Sequence, residues 1–308
     1  MLVILNQYAG GGTAEKKWRT LEPSFRRAAG PFTLVERCSE APLRQTVADA
    51  LSRGESDFVA AGGDGTINSL VNVLGDRLTQ GPSERVRLGA IGLGSSNDFH
   101  KPFCPEQRIE GVPAKIDFHR ASPRDVGCLT LSRNGTECRL YFLINASVGV
   151  TANANALFNN PDAVLKALKR WHTPLAILYA ALRTIAGHTN LHVLIESEEV
   201  GSISAGLSNL GIVKNPYFSG SLHYGDPARY DNGRFAVHLY SGMSRTGLVS
   251  LLFTLTRGTA SSPHSRSWST RSLTVSAENE FAVEYDGEVA HASKACFTIL
   301  PRCLDVCQ

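Results

Sequence analysis

The chain has 308 residues, of which 43% are hydrophobic and 19% charged, a globular balance that excludes disorder throughout. That length exceeds an ordinary compact domain of about 100–200 residues and predicts two domains. Its 31 basic and 28 acidic side chains leave a formal charge of +3 with no block of like charge, so nucleic acid is not an expected partner.

The chain opens on Met1 to Asn6, a short apolar run that leads straight into Gly10-Gly11-Gly12. With no basic segment before it, this predicts a buried strand ending in a loop and not a signal peptide. Short apolar runs then alternate with helical patterns: Leu2–Leu5, Ala14–Ala29, Phe32–Glu36, Pro42–Arg53, Asp57–Ala61, Ile67–Leu74 and Arg87–Ile91. Strand and helix in alternation predict a parallel sheet wrapped by helices, with ligands in the loops at the carboxyl ends of the strands.

After about Arg120 the texture changes to strand-like runs: Cys138–Ile144, Leu191–Ile195, Ile203–Leu207, Phe235–Tyr240, Ser272–Ser276, Phe281–Tyr285 and Ala295–Leu300. Turn-rich stretches separate most of them, which predicts a mainly antiparallel second domain. A helical insert at 161–187 interrupts it, and Pro174 should divide that insert in two. The serine- and arginine-rich stretch Gly258–Arg271 reads as a mobile surface loop. Seven cysteines, Cys38 among them, form no C-x-x-C pair, which favours a reducing, cytoplasmic setting. The longest apolar stretch, Pro174–Ala186, is broken by Arg183 and is shorter than the roughly 20 residues of a membrane span. A soluble chain, or one resting on the inner face of a membrane, is expected.

Two glycine loops carry the chemistry. Gly62-Gly63-Asp64-Gly65-Thr66 stands between a strand and a helix, where a bare backbone and a helix N-terminus suit a polyphosphate. Thr66 is the expected helix cap, and a plain tight turn is the competing reading of the pentapeptide. Leu88 to Phe99 repeats the pattern on the next strand, with Gly92, Gly94, Ser95, Asn97 and Asp98, and Asn6 to Thr13 supplies a third loop. Neither the usual dinucleotide fingerprint nor the P-loop spacing occurs in them.

Gly62 to Asn68, Leu88 to Phe99 and Asp286-Gly287-Glu288, taken in order, resemble the diacylglycerol kinase catalytic-domain family, which includes sphingosine and ceramide kinases. The likeness covers nearly the whole chain. Asn6 to Gly10 resembles the family's N-P-x-[SA]-G opening, Asp125-Val126-Gly127 its D-[VL]-G, and Phe142 to Asn145 with Gly149 its F-x-N-x-x-x-G. The resemblance implies a three-layer, mostly parallel α/β domain over 1–120, related to phosphofructokinase and NAD kinase. A β-sandwich would follow over 121–308, with the final residues returning to the first domain and ATP bound in the cleft between the two.

Carried over, it implies that Gly62, Gly63, Asp64, Gly65 and Thr66 cradle the phosphates, with Asn6, Gly10, Gly94, Ser95, Asn97 and Asp98 lining the rest of the cleft. Asp286 would be the general base with Glu288 beside it, and Asp64 is the competing carboxylate. The alternative for Asp286 is an ordinary Asp-Gly hairpin turn. Mg²⁺ would accompany the ATP. A second Mg²⁺ site draws on an acidic D-D-G turn, here Asp231-Asn232-Gly233, so Asp231 keeps a ligand and Asn232 loses one. Further departures are Gln7 and Gly92 in place of prolines, Ser95 in place of threonine, and Ser69 where the family has an acidic residue.

The implied activity is ATP-dependent phosphorylation of a hydroxyl on diacylglycerol or a sphingoid lipid such as ceramide. A kinase of a soluble substrate such as NAD, and a catalytically weak nucleotide- or lipid-binding protein, are the alternatives. The implied partners are a lipid alcohol and a membrane surface; oligomeric state is open, a homodimer included. Lys166, Lys169, Arg170 and His172 beside Trp171, Leu175, Leu178 and Tyr179 read either as an interfacial helix or as a helix packed on the sandwich. His100 and Lys101 read either as phosphate contacts or as a solvated helical turn.

Overall fold

In the computed structural model, which describes residues 1–36, 40–79, 85–259 and 262–308, the chain divides into two units. Cys38 and residues 260–261 of the serine-rich stretch lie outside the described residues. The first unit is Met1–Val126 with Leu300–Gln308, and the second is Gly127–Ile299.

The first unit runs β1 (Leu2–Leu5), α1 (Ala9–Gly12), α2 (Ala14–Ala29), β2 (Thr33–Glu36), α3 (Glu40–Ser52), β3 (Asp57–Gly62), α4 (Asp64–Val73), α5 (Gly75–Leu78), β4 (Arg87–Gly92), β5 (Arg108–Ile109) and β6 (Val112–Lys115). Strands β2, β1, β3 and β4 pair side by side, all parallel, with Leu2 opposite both Thr33 and Phe58, and Phe58 opposite Leu88. Buried continuous apolar runs are what a sheet covered on both faces requires, and β1 is buried at all four positions. Trp18, Leu21 and Phe25 of α2 close over Val3, Leu5, Val59 and Ile91. On the far side of β4, Asp305 and Val306 add a further parallel pairing with Arg87 and Leu88.

The chain enters the second unit along β7 (Ser122–Arg133) and continues through β8 (Thr136–Phe142), β9 (Asn145–Gly149), α6 (Val150–Asn159), α7 (Ala163–Trp171) and α8 (Thr173–Ala186). It goes on through β10 (Leu191–Ser197), β11 (Gly201–Val213), β12 (Tyr217–Phe218), β13 (Leu222–His223), β14 (Phe235–Ser241), α9 (Arg245–Thr256), β15 (Ser265–Thr270), β16 (Ser272–Tyr285) and β17 (Glu288–Val306). The pairings β7–β8, β10–β11, β10–β16, β11–β14 and β16–β17 are antiparallel, and so are those of β9 with β11 and β16. Their inward residues, among them Phe142, Ile195, Leu210, Phe235, Val283 and Phe297, form one core.

Several elements differ from the sequence reading. The helical stretch starts earlier, at Val150, with α6 as an additional helix; within 161–187 the expected division holds, since α7 ends at Trp171 and Pro174 lies in the first turn of α8. Helix α9 is absent from the sequence reading: Leu248, Leu251, Leu252 and Leu255 recur at helical spacing, but Val249 and Phe253 blur the stripe. The expected loop Gly258–Arg271 contains β15, which pairs with β14 across Phe235–Tyr240 as a polar edge strand.

Candidate functional site

In the first unit the loops after β1, β3 and β4 converge, and backbone contact explains several of their glycines. A Cβ on Gly94 would lie 2.5 Å from the Gly63 Cα, one on Gly10 2.6 Å from the Leu93 carbonyl oxygen, and one on Gly62 2.2 Å from the Thr66 Oγ1. The first two neighbours are backbone of another loop, so glycine is needed there for the loops to meet; the third is the buried Thr66 side chain within the same loop. Side chains then tie the loops together. The Asp64 carboxylate accepts from the Asp98 N–H and the Phe99 N–H, both at 3.0 Å, and joins the second loop to the third. Asn6 Nδ2 donates to Thr66 Oγ1 at 3.1 Å and joins the first to the second. Asn97, at φ +49°, donates through Nδ2 to the Gly92 and Gly94 carbonyls and accepts from the Gly94 N–H, so it folds its own loop into a tight turn.

One sequence expectation changes here. Thr66 is not the cap of α4: the helix begins at Asp64 behind Gly63, and Thr66 is buried in its first turn with its hydroxyl held by Asn6. Asp64, the competing functional carboxylate, lies in this cluster and accepts backbone N–H groups on both oxygens. The structure therefore brings together Asn6, Gly10, Gly62, Gly63, Asp64, Gly65, Thr66, Gly94, Asn97 and Asp98 around the N-terminus of α4, with Ser95 exposed at the loop tip. Ser69, in place of the acidic residue, donates to the Gly65 carbonyl at 2.8 Å. Lys101 is not a solvated residue: it is buried and its Nζ lies 2.7 Å from Asp98 Oδ1. His100 is buried beside Gly92, and burial first, with the Lys115 charge second, pushes its pKa down to about 3. Its imidazole is neutral at physiological pH.

In the second unit, Asp286 and Gly287 form the two-residue turn between β16 and β17, both with positive φ, with Tyr285 opposite Glu288. This is the hairpin reading of Asp-Gly. The Asp286 side chain does more than turn the chain. It is 5% exposed, and its oxygens accept from the Leu143, Ile144 and Asn145 N–H groups at 2.8, 2.8 and 3.2 Å. The sequence reading overlooked its neighbour Glu284, also buried, which accepts from Ser147 Oγ at 2.7 Å and from the Gly287 N–H at 2.8 Å. The strand alternation of Phe281–Tyr285 hid it, because a polar residue at that position ordinarily faces water. Glu288 is exposed.

The Asp231 turn does not suit a divalent cation. Asp231 and Asn232 are exposed, and the buried Lys214 sends its ammonium to Asn232 Oδ1 at 2.8 Å and to the Arg234 carbonyl at 2.9 Å. Oxygens that a hard cation would need as ligands are already held by a lysine, and the described residues contain no group of three or more His, Cys, Asp or Glu side chains fit to hold a metal.

Residues 1–129 match the family described as the diacylglycerol kinase catalytic domain, and residues 145–308 match the YegS C-terminal NAD kinase beta sandwich-like domain. A protein of Staphylococcus haemolyticus (strain JCSC1435) named diacylglycerol kinase is 25% identical over 261 residues, which is 84% of this chain and 72% of that one. One of Staphylococcus carnosus (strain TM300) with the same name is 24% identical over 262 residues, 83% of this chain and 78% of that one. Two solved structures from Bacillus anthracis str. Sterne share the fold. One has a TM-score of 0.73 at 19% identity, covering 99% of this chain and 94% of its own. The other, described as a diacylglycerol kinase, has a TM-score of 0.67 at 16% identity, covering 99% and 95%. With two domain families following one another over 1–129 and 145–308, and relatives that carry one enzyme name, the chain belongs to the diacylglycerol kinase catalytic-domain family and is a kinase, a transferase of phosphoryl groups.

Proposed function

We propose that the protein transfers the terminal phosphoryl group of ATP to the hydroxyl of a lipid alcohol, with diacylglycerol as the first candidate and a sphingoid lipid such as ceramide as the second. The observation that carries this reading is the loop cluster of the first unit: three loops at the carboxyl ends of parallel strands, pinned by Asp64, Asn6 and Asn97 around the start of α4. Backbone N–H groups at a helix start, held rigid, suit the phosphates of a nucleotide. Mg²⁺ would arrive on those phosphates, whose charge it neutralises. The protein's own carboxylates nearby are engaged, Asp64 with two amides and Asp98 with Lys101.

Asp286 is the proposed base for the acceptor hydroxyl, because an alcohol attacks poorly until a positioned carboxylate takes its proton. Three backbone amides hold that carboxylate in one orientation. Purified protein is to be incubated with labelled ATP and a panel of diacylglycerol, ceramide, sphingosine and NAD. Label in diacylglycerol or a sphingoid lipid is expected; label in NAD alone, or in none despite ATP binding, overturns the reading. Asp286→Asn places an amide NH₂ or carbonyl among three N–H donors, so its activity is to be read beside its thermal unfolding and ATP affinity. A folded variant with ATP affinity within a few fold and turnover lowered about 10²–10⁴-fold supports the base, and retained turnover moves it elsewhere.

A further inference from the structure

Helices α7 and α8 turn their residues the wrong way round for a helix in water. On α8, Ala176 and Ala180 are buried at 0% and 3%, while the bulkier Leu175, Leu178 and Leu182 are 50%, 41% and 41% exposed. These leucines recur at three- and four-residue spacing and share one stripe. On α7, Leu165 packs with Ala176 and Ala180, while Val164 and Trp171, seven residues apart, are 53% and 91% exposed. A helix on a soluble surface ordinarily buries its large apolar side chains and leaves small or polar ones outside. Exposed apolar residues scattered singly need no explanation, but here five gather on one helical hairpin.

The charge around them has one sign. Between Ala163 and Gly187 the chain holds Lys166, Lys169, Arg170 and Arg183 and no Asp or Glu, although the whole chain is nearly balanced. The carboxylate just before this segment, Asp162, is committed to the hairpin: it caps α7 through the Leu165 N–H and accepts from the Tyr179 hydroxyl. Lys166, Lys169, Arg170 and Arg183 are all exposed, and Lys169 also donates to the Phe158 carbonyl and lies 4.2 Å from its ring centroid. Neither helix is long enough to cross a bilayer. Bulky apolar residues, a tryptophan and cations on one short hairpin match an element that lies in the boundary between headgroups and acyl chains.

We propose that the α7–α8 hairpin docks the protein on an anionic lipid surface, with Trp171, Leu178 and Leu182 entering the headgroup boundary and Lys166 and Arg170 meeting lipid phosphates. This deepens the lipid-kinase reading and rests on it for its purpose, since a bilayer-bound alcohol has to be met at the surface. A second copy of the chain is a poorer occupant, because a two-fold contact would set the same cations against one another.

The test is sedimentation of the full chain with vesicles free of diacylglycerol, made of phosphatidylcholine alone or mixed with phosphatidylglycerol. Binding is expected to the mixed vesicles, to weaken with added salt, and to shift tryptophan fluorescence to the blue. Trp171→Ala with Leu178→Ser should lower partitioning at least about tenfold, since two bulky side chains lose their transfer into lipid. Lys166→Gln with Arg170→Gln should lower binding to mixed vesicles alone, by about fivefold per cation. All four residues are exposed, so unchanged melting serves as the control for folding. Absence of vesicle binding, variants that bind like the parent, or a parent dimer that these variants make monomeric would each overturn the proposal. A short-chain diacylglycerol dissolved as monomer separates the two readings: its phosphorylation without vesicle binding sinks the docking hairpin alone, and vesicle binding without phosphorylation of any lipid sinks the lipid-kinase reading alone.

Discussion

His100 sits beside the glycine loops in a setting that disfavours its protonated form. Its ring is 3% exposed, its Nε2 has no hydrogen-bond partner among the described residues, and burial with the Lys115 charge pushes its pKa down to about 3. The sign of the consequence is fixed. In the unfolded chain an ordinary histidine takes up a proton below about pH 6.5, whereas the folded chain refuses it until about pH 3, so stability falls as pH falls through that window. From pH 6.5 to pH 5 the expected loss is about 2 kcal/mol. Chemical denaturation at both values, for the parent and for His100→Phe, measures it: the variant should lose less stability over that interval, and equal losses would show that His100 does not govern the window. The glycines at this scale have two different reasons. Gly94 and Gly10 are required by the backbone they touch, while a Cβ on Gly11 or Gly12 would meet nothing within 4 Å, and there only the positive φ calls for glycine.

Among elements, the turn that joins Asp231 to Arg234 is braced by a lysine where its likeness to an acidic turn predicts a cation. Lys214, just past the end of β11, donates to Asn232 Oδ1 and the Arg234 carbonyl, so the positive charge belongs to the chain itself. Replacing Lys214 with methionine should cost about 2 kcal/mol, since both acceptors lose a charged donor. The melting temperature of the parent without nucleotide should be indifferent to Mg²⁺ and to chelator; a rise with Mg²⁺ would mean that the turn binds the ion after all. This lysine escaped the sequence reading because its partners lie in a different element, and nothing local marks it. The same holds for Thr66, whose apparent capping role is displaced by Asn6. Local signals were legible: the buried strands β1, β3 and β4 are continuous apolar runs, and the glycine loops follow each of them. Strand β15 escaped because an edge strand of Ser, Arg and Thr, with Trp268 its one apolar side chain, carries almost no apolar pattern. Helix α9 escaped because Val249 and Phe253 spread its apolar residues beyond the leucine stripe.

At the scale of the whole molecule, the chain comes back to where it began. Strand β17 belongs to the second unit up to Ile299 and to the first from Leu300 onward. There Leu304, Val306 and Cys307 are fully buried, Asp305 and Val306 pair with Arg87 and Leu88, and the Cys307 N–H donates to the Leu88 carbonyl. The strand they flank, β4, ends in the Gly92–Asp98 loop of the candidate nucleotide site. Removing Leu300–Gln308 would strip two apolar side chains worth about 2 kcal/mol each from that sheet, together with its hydrogen bonds. Against a domain stability of about 5–15 kcal/mol, this is enough to loosen the first unit. The second unit keeps its own core of Phe142, Phe235, Val283 and Phe297. The truncated chain should therefore lose ATP binding in calorimetry while retaining one cooperative thermal transition, although no deleted residue belongs to the glycine loops. ATP affinity equal to that of the full chain would show that the first unit closes its sheet without the returning segment.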